Sequence, residues 1–137
     1  MAIKRIEALA DAIAYLNKAY DPSSESYQLR NPGLVRVYSF KHLAMSDNNG
    51  RRIFTSFVGG YRCLVQDLTE KCSGDTRAKG RNGKLKSTSP LTDLLLSFKL
   101  SKEDHIFEAV DFLNRALKDD SINASTQIEY FLTDNGE

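Results

Sequence analysis

Cysteine and histidine are scarce in this chain of 137 residues, with two of each. Cys63 and Cys72 stand on what reads as one helix, where about 100° per residue sets them on opposite sides and too far apart to be bridged. They are expected as unbridged thiols of a protein that folds in a reducing cytoplasm. His42 and His105 have no cysteine or acid at ligand or triad spacing, except Glu103 and Asp104 beside His105. Those two acids suit a helix N-terminus, where they meet the positive end of the dipole. Zinc spacing is therefore absent, and neither a metal nor a cofactor is expected. No apolar run approaches the roughly 20 residues that span a bilayer. Glu7 and Asp11 also interrupt the N-terminal apolar pattern where an export leader would carry no acids. No glycine loop is followed by the Lys-Ser/Thr pair that cradles phosphate. Net charge of one sign is missing too, at +1 overall.

The length and a composition of 41% hydrophobic and 27% charged residues fit one globular domain over 1–137. The near-zero charge conceals an imbalance. Residues 1–99 carry 16 Lys/Arg against 9 Asp/Glu, and residues 100–137 carry 3 against 9, so +7 and −6 sum to +1. Either the acidic part folds against the basic part, or a basic face awaits an anionic partner.

Periodicity sets out a mainly α (α+β) domain of about five helices with one small β-hairpin. Ile3, Ile6, Leu9, Ala10, Ile13 and Leu16 recur at helical spacing over 3–19, and Asp21-Pro22-Ser23-Ser24 stops that helix before a polar loop. Pro32-Gly33 marks a turn. The β-branched and aromatic residues of 34–40 and the Asp47-Asn48-Asn49-Gly50 turn ahead of Arg51-Arg52-Ile53-Phe54 predict a two-stranded hairpin that must pack on helices. Ser56 caps a helix whose stripe is Tyr61, Leu64, Val65, Leu68 and Cys72, and Gly74 ends it. Gly59 and Gly60 near its start imply the close approach of another backbone or of a ligand. Asp67 falls on the side away from Leu64 and Leu68, where Arg62 or Lys71 could pair with it for about 0.3 to 0.5 kcal/mol. Gly74 to Thr88 reads as a flexible basic loop, 74–88. Ser89-Pro90 opens a helix carrying Leu91, Leu94, Leu95 and Phe98. Ser101-Lys102-Glu103-Asp104 opens another in a near capping box, with Ile106, Val110, Leu113 and Leu117 as its stripe. A short helix over 126–132 closes the chain.

Four of these segments together carry a resemblance. They are Arg30-Asn31-Pro32-Gly33-Leu34-Val35-Arg36, Phe54-Thr55-Ser56, Gly60-Tyr61-Arg62-Cys63-Leu64-Val65-Gln66-Asp67-Leu68, and Leu91-Thr92-Asp93-Leu94-Leu95. In this order they resemble the pattern of small phage and prophage virion (structural) proteins with an N-P-G-N turn, which are regarded as lysozyme-like. Leu34 replaces the asparagine that the family pattern carries after the glycine, and Asn31 alone remains of its asparagine run. The resemblance implies a lysozyme-like helical fold with a cleft, partners among glycans or virion proteins, and a place in the bacterial cytoplasm or the phage virion. It leaves open a glycoside hydrolase, a lytic transglycosylase, or an architectural descendant that has lost catalysis.

Glycosidic cleavage needs an acid whose pKa is raised by an apolar pocket. Glu25, just ahead of the turn, is the residue to test, against the alternative of a solvated loop acid. Asn31, Tyr61 and Arg62 are the substrate-binding candidates, although Tyr61 at the start of its stripe reads first as core and only secondarily as a phenol lining a sugar cleft. A different class of function would use Arg77, Lys79, Arg81, Lys84 and Lys86 to bind nucleic acid or another polyanion, since alternate residues of an extended chain share a side. That stretch has no aromatic residue for stacking on bases.

Overall fold

Alanine gives the first helix its place. The computed structural model describes residues 4–35, 45–46, 52–76, 78–80 and 83–133. In it α1, Arg5–Leu16, buries Ala8, Leu9, Ala10, Ala12, Ile13 and Ala14 completely. Small side chains let neighbouring elements approach from several directions, so α1 is central rather than one-sided. It packs against α3 (Phe57–Ser73), α5 (Glu103–Leu117) and a closing 3-10 turn, Ile128–Leu132. Leu64 and Leu68 from α3, Leu91, Leu94 and Leu95 from α4 (Leu91–Ser97), Leu113 from α5, and Ile128 and Phe131 complete one core. Each such side chain contributes about 1.5 to 3 kcal/mol by leaving water. Arg5 pins the end of the described chain to α1, with its guanidinium 3.9 Å from the Tyr130 ring centroid and 2.6 Å from Thr133 Oγ1.

The mainly helical class with a small hairpin agrees with the sequence. Among the described residues there are five helices, the fifth expected one being replaced by α2, Glu25–Gln28, inside the stretch read as polar loop. Ser24 Oγ starts α2 by accepting the Tyr27 N–H. The stretch 126–132 is a 3-10 turn rather than an α-helix, because its backbone is drawn aside to pair with 87–91. There Glu129 N–H donates to the Ser87 carbonyl, Ile128 N–H to Ser89, and Leu91 N–H to Thr126.

Of the expected caps, Ser56 accepts the Gly59 N–H at 3.1 Å and Gly74 takes φ 84°, as the helix-end chemistry requires. Ser101 does not cap α5; Lys102 occupies that position without a side-chain hydrogen bond. The hairpin forms at β1 (Met45–Ser46) and β2 (Arg52–Ile53), with Met45 opposite Ile53. Of the strand expected over 34–40, Leu34 and Val35 are irregular, and 36–40 lie outside the described residues. A second antiparallel pair, β3 (Lys79–Gly80) and β4 (Gly83–Lys84), folds part of the basic stretch read as a flexible loop. It rests on α4, where a Cβ at Gly80 would lie 2.5 Å from Asp93 Cβ. No helix among the described residues is long and apolar enough to cross a membrane.

Among the glycines of the described residues, Gly60 is approached most closely by another segment. A Cβ there would stand 2.0 Å from the Arg30 carbonyl oxygen and 2.9 Å from Pro32 Cδ, whereas one at Gly59 would meet only Ser56 Oγ at 3.3 Å. The close approach implied by the two glycines is thus backbone on backbone, at the second of them. Gly60→Ala is expected to cost about 2 kcal/mol or more through overpacking. Gly59→Ala should stay within about 0.5 kcal/mol of wild type. Urea denaturation of the two variants checks the contrast.

Candidate functional site

The Arg30–Val35 segment is a built turn. Leu34 N–H donates to the Asn31 carbonyl at 3.0 Å, with Pro32 and Gly33 in the corner. Asn31 is fully buried, and its amide closes the turn at both ends of one residue: Nδ2 donates to the Val35 carbonyl, and Oδ1 accepts the Val35 N–H, each at 3.0 Å. The side chain thereby acts as a strand partner for Val35. Three elements hold the turn from outside. Asn17, at the end of α1, donates from Nδ2 to the Pro32 carbonyl at 2.9 Å. Ser26 of α2 donates through Oγ to the Asn31 carbonyl and accepts the Asn31 N–H on its own carbonyl. Gly33 sits so close to Leu64 of α3 that a Cβ would lie 2.5 Å from its Cδ1.

The conformation of the turn also has a strained position. Leu34 has φ 50° and Arg30 has φ 51°, in the left-handed region that branched or bulky side chains disfavour. Asparagine tolerates that region better, and asparagine is what the resembled pattern carries at the position of Leu34.

Tyr61 is half-buried between α3 and α1. Its hydroxyl donates to Asp11 Oδ1 at 2.7 Å and reaches the Glu7 carbonyl at 3.3 Å. Burial, and then the bond to Asp11, push the phenol above its ordinary range. Burial likewise raises the Asp11 carboxyl above its ordinary 3.8, opposed by the Tyr61 hydrogen bond and assisted by Glu7. Tyr20, exposed, and Phe57 continue the aromatic run, with centroids 5.3 Å apart and Phe57 a further 6.2 Å from Tyr61. Tyr61 is therefore both core and polar, and its polar end is occupied by α1.

The other candidates are dispersed. Glu25 is exposed on the first turn of α2. Arg62 is exposed on α3. Asp67 is buried, contrary to its expected outward side, because α3 buries Cys63, Leu64, Asp67, Leu68, Lys71 and Cys72 as one broad face. Lys71 Nζ lies 3.0 Å from Asp67 Oδ2 and 3.7 Å from the centroid of the Phe98 ring. Removing one partner of such a buried pair costs about 3 to 5 kcal/mol, far above the few tenths expected for an exposed one. Lys79, Lys84 and Lys86 are exposed, and Arg77 and Arg81 lie outside the described residues. Cys63 and Cys72 are buried and unbridged, and burial raises the Cys72 thiol to about 12, which leaves it protonated and unreactive at neutral pH. No cluster of three or more His, Cys, Asp or Glu side chains that could hold a metal occurs among the described residues.

The turn and the helix bearing Asp67 thus meet directly, Asn31 facing Val35 and Tyr61 facing α1. Sequence reasoning missed Asn17, Ser26 and Asp11. Only Asn17 left a signal, as a polar residue just past the end of an apolar pattern. Compared with family models, curated proteins and solved structures, the chain matches none.

Asn31→Ala is expected to destabilise the fold by about 2 to 4 kcal/mol, because it leaves both the Val35 N–H and carbonyl buried without that partner. Chemical denaturation reads the loss. A carboxyl whose folded pKa lies above its unfolded value binds its proton more tightly when folded, so its ionisation removes stability as pH rises through that window. Asp11→Asn keeps an oxygen for the Tyr61 hydroxyl. It should raise Tm relative to wild type at pH 7, with the difference shrinking as pH falls toward 3.8.

Proposed function

We propose that the chain is a phage- or prophage-derived, lysozyme-like module that holds peptidoglycan-type glycan without cleaving it, as a structural component of a virion. The observation that carries this reading is the turn at 30–35. The left-handed backbone at Leu34 is the conformation that suits the asparagine of the resembled pattern, and here it persists beneath a leucine. Loss of catalysis is supported by what the polar groups do. Asn31 is occupied by Val35, the Tyr61 hydroxyl by Asp11, and Glu25 is exposed on the first turn of α2.

A second reading has one observation in its favour. Lys79 and Lys84 are paired across β3 and β4 in register, and both are exposed. Like charges directly opposite one another destabilise a strand pair, and an anion bound between them would relieve that cost. Nucleic acid is the natural polyanion for such a hairpin.

Incubation with insoluble peptidoglycan separates the readings. The glycan-holding module should sediment with the sacculi, release no soluble fragments, and behave identically as Glu25→Gln. Release of fragments that Glu25→Gln lowers would instead establish an enzyme. Failure to sediment, together with salt-sensitive retention on DNA that is lost when Lys79, Lys84 and Lys86 are all changed to Ala, would establish the polyanion binder.

A further inference from the structure

The α5 helix leaves part of its surface uncovered by the core. Its buried stripe is Ala109, Leu113 and Leu117, yet Phe107 on the same helix is 73% exposed. Beside it, where α5 meets α1, lies a groove of about 470 Å³. Tyr15, Phe107 and Phe112 supply three aromatic rings to it, and Glu108, Asp111 and Arg115 supply the polar groups. The Tyr15 and Phe112 rings support each other at 5.5 Å between centroids, and Tyr15 is itself 52% exposed. Arg115 Nε lies 3.3 Å from Asp111 Oδ2, and both side chains remain largely open to solvent. A volume in this range is typical of sites for small ligands or for a few units of a chain, which run from about 300 to 1,000 Å³.

The lining selects the occupant. A protein partner seated on the groove would have to cover the carboxylates of Glu108 and Asp111, and charged residues are depleted at the centres of protein interfaces. A purely apolar ligand would leave two carboxylates and a guanidinium without use. A polyanion would meet a lining with two acids and one base. A sugar ring fits what remains: one face presents C–H groups that lie on an aromatic ring, and its edge presents vicinal hydroxyls that planar carboxylate and guanidinium groups bond two at a time.

We infer that the groove between α1 and α5 is the glycan-binding site, with a saccharide ring stacked on Phe107 and its hydroxyls bonded to Glu108, Asp111 and Arg115. The inference rests on the glycan-holding reading and moves the site away from the Asn31 turn, to Tyr15 near the end of α1 and to α5.

Chitotriose, as a soluble probe, is titrated into the intact chain by NMR, and the same preparations are sedimented with peptidoglycan. Phe107→Ala removes an exposed ring and should leave Tm unchanged. It should weaken chitotriose binding about tenfold and lower sedimentation in parallel. Asp111→Asn serves as a second variant, expected to weaken binding through the hydroxyl bonds while leaving the Tyr15–Phe112 pair intact. Wild-type sedimentation that neither variant diminishes would overturn the groove and leave the glycan-holding reading standing. Absence of both sedimentation and chitotriose shifts in the wild type would overturn the reading, and the groove with it. Shifts that cluster around Asn31 and Arg62 instead of Phe107 would also overturn the groove.

Discussion

The carbonyl of Arg30 meets α3 at a point where only a hydrogen can stand, and the seating of the Arg30–Val35 turn against α3 follows from that contact. A Cβ at Gly60 would require the turn to lift away from the helix. With the turn seated, the Asn31 amide can close on Val35, Asn17 can reach the Pro32 carbonyl, and Ser26 can exchange two hydrogen bonds with Asn31. These polar links are buried or half-buried, so each one broken strands a group that water cannot reach. The turn therefore behaves as a keystone for the ends of α1 and α2 as they meet the middle of the chain.

The same arrangement explains why residues that look like ligand-binding groups are engaged internally. Asparagine near a Pro-Gly corner and tyrosine near a helix start are both chemically suited to hold a polar ligand. In this chain the first substitutes for a strand partner and the second bridges two helices through Asp11. The exposed aromatic rings lie elsewhere, at the groove between α1 and α5, where the Asp111 and Arg115 side chains reach solvent.

Burial reverses the weight of several local interactions. Asp67 and Lys71 are an ordinary i,i+4 pair by spacing, but with exposures of 9% for Lys71 and 11% for Asp67, and Phe98 beneath the ammonium, the pair is part of the core. The opposite holds for Lys79 and Lys84, whose spacing says little and whose facing positions across β3 and β4 create a concentrated, exposed charge.

What the sequence determined by itself was mostly local. The 3.6-residue stripes of α1, α3, α4 and α5, the Ser56 cap, the Gly74 stop and the Pro32-Gly33 turn were all readable, because each depends on residues within a few positions of one another. Gly60 could be recognised as a place of close approach, but not what approached it. The tertiary structure alone decided that α1 lies at the centre, that 126–132 winds as a 3-10 turn against 87–91, that Asp67 is inside, and that Phe107 is outside beside Tyr15. Each of those outcomes depends on contacts between segments far apart in the chain. Periodicity specifies that a helix has a face, whereas which neighbour covers that face, and which residues remain exposed, is set by how the elements fill space together.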